Sequence, residues 1–148
     1  VTRILDLDLD FFVHGVASWR AHDDGRLDAE EFPPWAIGDA MTFLRERCLL
    51  DGPVPGFVVE RHGELFPRWR DGIQSGRLIP PFSVTHVDAH ADLGLGDVGY
   101  RHLLEEVLSR PLAGRPFPSE GDEGLNDGNY LAFAIGCRWV RDLTYVFN

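Results

Sequence analysis

The chain opens on a strict alternation: in RILDLDLDFF, residues 3–12, Ile and Leu exchange with Asp in period two, the pattern of a β-strand with one apolar and one polar face. Asp6, Asp8 and Asp10 then share a face. A stretch rich in Asp, Gly and Glu runs to about Phe32. Pro33-Pro34 follows and opens a segment in which Ile37, Met41, Leu44 and Cys48 recur at helical spacing, which predicts a helix of about four turns. The turn DGPVPG leads to a second expected strand, FVVERH at 57–62, rich in β-branched and aromatic residues. ELFPRWRDGIQSG reads as a helix, with Pro67 tolerated in its first turn and Gly76 as its stop. After Pro80-Pro81, SVTHVDAHADL (83–93) begins as a strand and ends in a polar cluster. A helix is expected over 100–110, a surface loop over 111–128, a helix in NYLAFAIGCRWV and a strand in LTYVF.

Strands alternating with helices predict an α/β domain, with a mainly parallel sheet covered on both faces and a single unit spanning residues 1–148. In such sheets ligands gather at the carboxyl ends of strands. Both acidic clusters, around Asp10 and around Asp88–Asp92, fall at such ends. The sequence stops inside the last expected strand, so a fragment of a longer chain is an expectation too.

Composition narrows the chemistry. The 14 basic residues, against 24 acidic ones, are all arginine, and the net charge is −10. Without lysine, Schiff-base, pyridoxal-phosphate and Walker-type phosphate-loop chemistry are excluded from this chain. The charge also argues against a nucleic-acid partner, which needs a basic patch. Ten Phe and four Trp are enough for a core. Cys48 and Cys137 form no CxxC pair and no disulfide framework. With no targeting segment or membrane span legible, a cytoplasmic protein with a small-molecule substrate is expected, its oligomeric state open.

Three clusters carry candidate chemistry. V-D-A-H-A-D places Asp88, His90 and Asp92 at alternate positions, two carboxylates around one imidazole, a donor set suited to Mn, Fe or Zn. A polar strand end facing water is the plain alternative, but burying two carboxylates together is costly unless a cation sits between them. Asp6, Asp8 and Asp10 form the second cluster; they repel one another unless solvated, protonated or metal-bound. The third, E-R-H-G-E, sets Glu60, His62 and Glu64 in alternation. His62 is a candidate ligand, and Glu60 or Glu64 a candidate base, while solvated glutamates and a capping histidine explain the spacing equally well. His86 shares the parity of Asp88 and His90 but lies deeper in the strand, and reads as a core or supporting histidine.

These motifs resemble a known superfamily. DAHAD at 88–92 resembles the D-A-H-x-D metal motif of the arginase and deacetylase (ureohydrolase-like) proteins, and LDLDLDFF resembles their D-x-D motif. More closely, VVERHGELFPRWRDGIQSGRL followed by THVDAHADL is similar to an uncharacterised arginase-like family combining V-V-E-x-H-x-E, H-x-D-x-H-x-D-L and D-L-D-F-F. The resemblance covers most of 3–12 and 57–95 and leaves 13–50 uncovered. It implies a three-layer α/β/α fold and two divalent ions, most often manganese, with zinc or iron as alternatives. Carried over by motif, Asp8 and Asp88 would bridge the ions, His90 and Asp10 would complete one shell, Asp92 and His62 the other, and Asp6 would stand behind them. The D-x-D strand here precedes the DAHAD strand, the reverse of the arginase order, so the resemblance implies a circular permutation. The arginase G-G-D-H segment has no counterpart.

The function expected is hydrolysis of a C–N bond of an amide, amidine or guanidinium by metal-activated water, with Glu64, His62 or His102 as proton carriers. No GxSxG, and no cysteine beside a base, supplies a competing nucleophile. The alternative is a non-catalytic metal- or small-molecule-binding module. A haloacid-dehalogenase phosphatase also uses a D-x-D strand, but it wants a Thr or Val two residues past the second Asp, where this chain has Asp10 or Phe12, and a lysine.

Overall fold

A computed structural model describes residues 2–16, 28, 30–94, 96–115 and 124–148. Parts of the two expected loops, at 17–27, 29 and 116–123, lie outside the described residues. The protein is α/β. Strands β1 (Arg3–Leu7), β2 (Phe82–Val87) and β3 (Val140–Val146) form a parallel sheet in the order β1-β2-β3. The helices are α1 (Ile37–Glu46), α2 (Leu65–Gln74), α3 (Gly96–His102) and α4 (Tyr130–Gly136).

Strand pleat divides the side chains between two apolar clusters. Ile4, Phe82, Val84, Val140 and Leu143 point to one face, where Phe66 and Trp69 of α2 and Leu131 and Phe133 of α4 cover them. Val140 and Leu143 share that face despite their spacing because the β2–β3 register slips by one residue between Phe82 and Ser83. Leu5, Leu7, Val87 and Val146 point to the other face, toward Phe11, Phe12, Trp35 and α1. Of the helical stripe expected in this segment, Leu44 and Cys48 pack against that cluster and Ile37 and Met41 do not. Ala40, Phe43 and Leu44 pack inward, while Ile37 and Met41 are exposed.

Two expected strands are corrected. β1 ends at Leu7, not at Phe12: its pairing with β2 stops at Leu7–Val87, and the Asp8 carboxylate accepts the Asp10 N–H at 3.0 Å, capping a 3-10 turn over Leu9–Phe12. Residues 57–62 are not a strand. Val58 is almost fully exposed with no sheet partner, and His62 instead begins a 3-10 turn, His62–Glu64, leading into α2. β-propensity without a neighbouring strand and a buried face does not make a strand. Pro67 does stand in the first turn of α2, and Gly76, at φ 72°, follows its C-cap in the left-handed region where glycine is least strained. The helix expected at 100–110 starts earlier, with α3, and passes into a π-helical segment over Leu103–Leu108. Both cysteines are free, Cys137 buried and Cys48 half-buried. Among the described residues no helix is long and apolar enough to cross a membrane.

Candidate metal centre

The carboxyl ends of β1 and β2 lie side by side, so the turns leaving them face each other. The β1 turn brings Asp8 and Asp10, the β2 turn brings Asp88, His90 and Asp92, and the 3-10 turn before α2 brings His62. The ligand atoms of these side chains form three overlapping groups, each with its atoms within 4.8 Å of one another: Asp8, His62 and Asp88; Asp10, Asp88 and His90; and His86, Asp88 and Asp92. Asp88 belongs to all three.

The site has a closed and an open side. Asp88 is 1% exposed, and Asp6, His86 and Asp92 are also buried. Asp8, Asp10 and His90 are partly open to solvent. Asp88 Oδ1 accepts the His90 N–H at 2.7 Å. Its Oδ2 is buried and accepts no hydrogen bond, although His86 Nε2 lies 3.3 Å away and His62 Nδ1 3.5 Å. A buried carboxylate oxygen without a donor is costly. An aspartate so placed, with carboxylate and imidazole neighbours, fits a borderline divalent cation.

His62 is the hub of the polar contacts. Its Nε2 lies 2.9 Å from Asp8 Oδ2 and its Nδ1 2.5 Å from Asp92 Oδ2. Burial alone would lower its pKa, but the hydrogen bonds to Asp8 and Asp92 outweigh burial and push it up to about 11. With acceptors at both nitrogens, the ring carries both protons. The same contacts lower the Asp8 pKa against the effect of burial. Asp10 moves the other way, to about 6, through burial and then repulsion from Asp8 and Asp88. Asp92 is raised, by burial and by Asp88, despite its bond to His62. His90 Nδ1 lies 3.0 Å from Asp10 Oδ2.

Behind the cluster, His86 sits fully buried between Asp6 Oδ2, 3.2 Å from Nδ1, and the His90 carbonyl, 3.1 Å from Nε2. Burial lowers its pKa, but Asp6 and Asp88 beside the ring outweigh burial and raise it to about 9. Tyr130 donates its hydroxyl proton to the same Asp6 oxygen. A second support lies beside His62, where Asp127 accepts from the Gly63 N–H (2.8 Å) and from Arg61 Nε (3.1 Å) and so fixes the turn that carries His62.

Of the residues singled out from sequence, Asp8, Asp10, His62, Asp88, His90 and Asp92 come together here. Asp6 is in none of the three groups and lies behind them. Glu64 is likewise in none, because in a 3-10 turn alternate residues no longer share a face. Glu60 is exposed, and His102 packs on Phe133 and belongs to none of the groups. Sequence reasoning missed Tyr130 and Asp127. Neither has a local signal, since each acts on a partner more than 60 positions away. Comparison of the chain with protein-family models, with curated proteins and with solved structures gave no match, so the geometry of this cluster carries the functional argument.

Proposed function

We propose that the protein is a metal-dependent hydrolase of C–N bonds, acting on an amide, amidine or guanidinium small molecule at a binuclear Asp/His centre within a three-layer arginase-like fold. The observation that carries this reading is Asp88, buried, lacking a donor at Oδ2 and common to every group of ligand atoms. The apolar clusters on the two faces of the sheet support the three-layer arrangement. Asp10 and His90 would hold one divalent ion with Asp88, and Asp8, His62 and Asp92 the other, manganese being the first choice and zinc or iron the alternatives. Bound there, such ions lower the pKa of water and polarise an electrophilic carbon.

The chain's own residues have separate tasks. Asp88, Asp92 and His86 close the inner side against water. Asp8, Asp10 and His90 line the side a substrate can reach. His62 holds protons against Asp8 and Asp92, and ligation must displace one of them. A second reading, a metal- or small-molecule-binding module without turnover, is favoured by one observation: Glu64 and His102, the proton carriers outside the ligand set, belong to none of the three ligand groups.

Element-resolved metal analysis of the purified protein tests the site, and turnover on acetylated amines and on guanidino and ureido compounds tests the reaction. Near-stoichiometric metal with turnover that His90→Ala abolishes supports the hydrolase. Metal without turnover on any compound supports the module. A metal-free protein indifferent to chelators overturns the hydrolase and the metal-binding form of the module.

A further inference from the structure

The turn leaving β2 carries three of the side chains assigned above as ligands, Asp88, His90 and Asp92, within five residues. Its backbone is unusual. Asp92 has φ 49°, in the left-handed region that side chains other than glycine seldom adopt. Such a conformation persists only where the surroundings fix it. Within the turn Asp88 Oδ1 accepts the His90 N–H, and from the turn leaving β1, on the open side, Asp10 Oδ1 accepts the Ala89 N–H at 3.3 Å.

From the buried side the turn meets one chain of groups. Tyr130, at the first position of α4, donates its hydroxyl proton to Asp6 Oδ2; the same oxygen faces His86 Nδ1 at 3.2 Å; and His86 Nε2 faces the carbonyl of His90 at 3.1 Å. Every side chain in it is buried, and Tyr130 and His86 have no exposed surface. The rings are held as well. His86 lies against Tyr145 of β3 with ring centroids 5.7 Å apart and planes 27° apart, and edge-on to Tyr130 at 6.3 Å. Asp6 and His86 stand opposite each other in the β1–β2 register. The chain therefore joins both strands and α4 to the backbone of the ligand turn. His86 Nε2 also lies 3.3 Å from Asp88 Oδ2, so one ring nitrogen faces both the His90 carbonyl and a ligand carboxylate.

We propose that Tyr130, Asp6 and His86 are positioning residues, a buried clamp that grips the His90 carbonyl and so sets the turn presenting Asp88, His90 and Asp92. The proposal rests on the reading of this cluster as a metal centre. It assigns none of the three a contact with substrate. Partners that orient ligands in this way typically change metal affinity 10–100-fold when they are removed.

The test is equilibrium binding of Mn²⁺ to the full chain, followed by the visible absorption of the Co²⁺-loaded protein, for wild type, Tyr130→Phe, Asp6→Asn, the double variant and Asp88→Asn. Tyr130→Phe removes one hydroxyl and keeps the ring packed, so it remains informative if Asp6→Asn does not fold. The clamp predicts at least tenfold weaker Mn²⁺ binding by Tyr130→Phe and an altered Co²⁺ spectrum at saturation, with metal stoichiometry unchanged. It also predicts a double variant no weaker than the weaker single variant, because residues acting in series are not additive. A merely structural tyrosine would lower the melting temperature and leave the saturated spectrum alone. The clamp is overturned if Tyr130→Phe binds Mn²⁺ within twofold of wild type with the same Co²⁺ spectrum while Asp88→Asn abolishes binding, an outcome that leaves the metal centre standing. Wild-type protein that binds neither ion overturns the metal centre and the clamp together.

Discussion

Replacing Asp88 by Asn should lower the stability of the metal-free protein and remove its response to metal. Asp88 Oδ2 is buried 3.3 Å from His86 Nε2 and 3.5 Å from His62 Nδ1, and Asp88 helps hold the proton on His86. Asn keeps an oxygen for the His90 N–H, so its amide nitrogen takes the place of Oδ2 and sets buried N–H donors against the two rings with no acceptor. A buried polar group left without a partner costs about 1–3 kcal/mol. For a chain of this size that corresponds to a fall in Tm of roughly 3–10 °C. In wild type a divalent ion at one hundred times its Kd adds about 2.7 kcal/mol. Thermal melts followed by circular dichroism, in chelator and in Mn²⁺ or Zn²⁺, should therefore show the variant below wild type in both, with the wider gap in metal. A metal-free Asp88→Asn that melts above wild type would refute this, because repulsion among the carboxylates would then outweigh the attraction of Asp88 for His62 and His86. So would a wild-type Tm that neither ion moves.

Protonation gives a second signature. His62 and His86 hold a proton up to about 11 and about 9, against an ordinary 6.5, so their stabilising contribution is complete below about pH 6.5 and is lost as pH rises through 9 and then 11. The metal-free Tm should fall between pH 7 and 9.5 while the stabilisation by Mn²⁺ grows over pH 5–8, as Asp10 and then His62 release protons that compete with the ion; melts across this range check both slopes. Asp127→Ala frees the turn carrying His62 and should weaken Mn²⁺ binding severalfold in a titration, with a stability loss of about 1 kcal/mol measured by urea unfolding, most of it from the Gly63 N–H bond and little from the half-exposed Arg61 pair. Glu64→Gln should leave metal content unchanged by elemental analysis, since Glu64 belongs to no ligand group.

Local pattern was a good guide wherever an element's own residues decide its shape. The alternation of 3–7, the apolar run of 82–87, the Pro67 and Gly76 signals of α2 and the β-rich end of the chain all correspond to elements of the structure. It misled at Leu9–Phe12, where the Asp8 side chain competes with the ladder for backbone donors, and at 57–62, where no strand lies alongside. In α1 it was right for Leu44 and wrong for Ile37 and Met41. Ile37 and Met41 fit a helical stripe with Leu44 as well as Ala40 and Phe43 do, and only the position of Phe11 and Phe12 chooses between them.

The sequence by itself determined the chemistry on offer: carboxylates and imidazoles in DLDLD, ERH and VDAHAD, an acidic chain without lysine, and strands that would end at those motifs. Residue type fixes which atoms can accept a proton or a cation. Only the tertiary structure decided which of them meet. Parallel pairing of β1 with β2 puts Asp8 and Asp10 beside Asp88, a 3-10 turn brings His62 to them without adding Glu64 to a ligand group, and burial separates Asp88 from water. The support from Tyr130, 124 residues from Asp6, could not be read locally, because a hydrogen bond between distant segments depends on how the helices and sheet pack and leaves no periodicity in the chain.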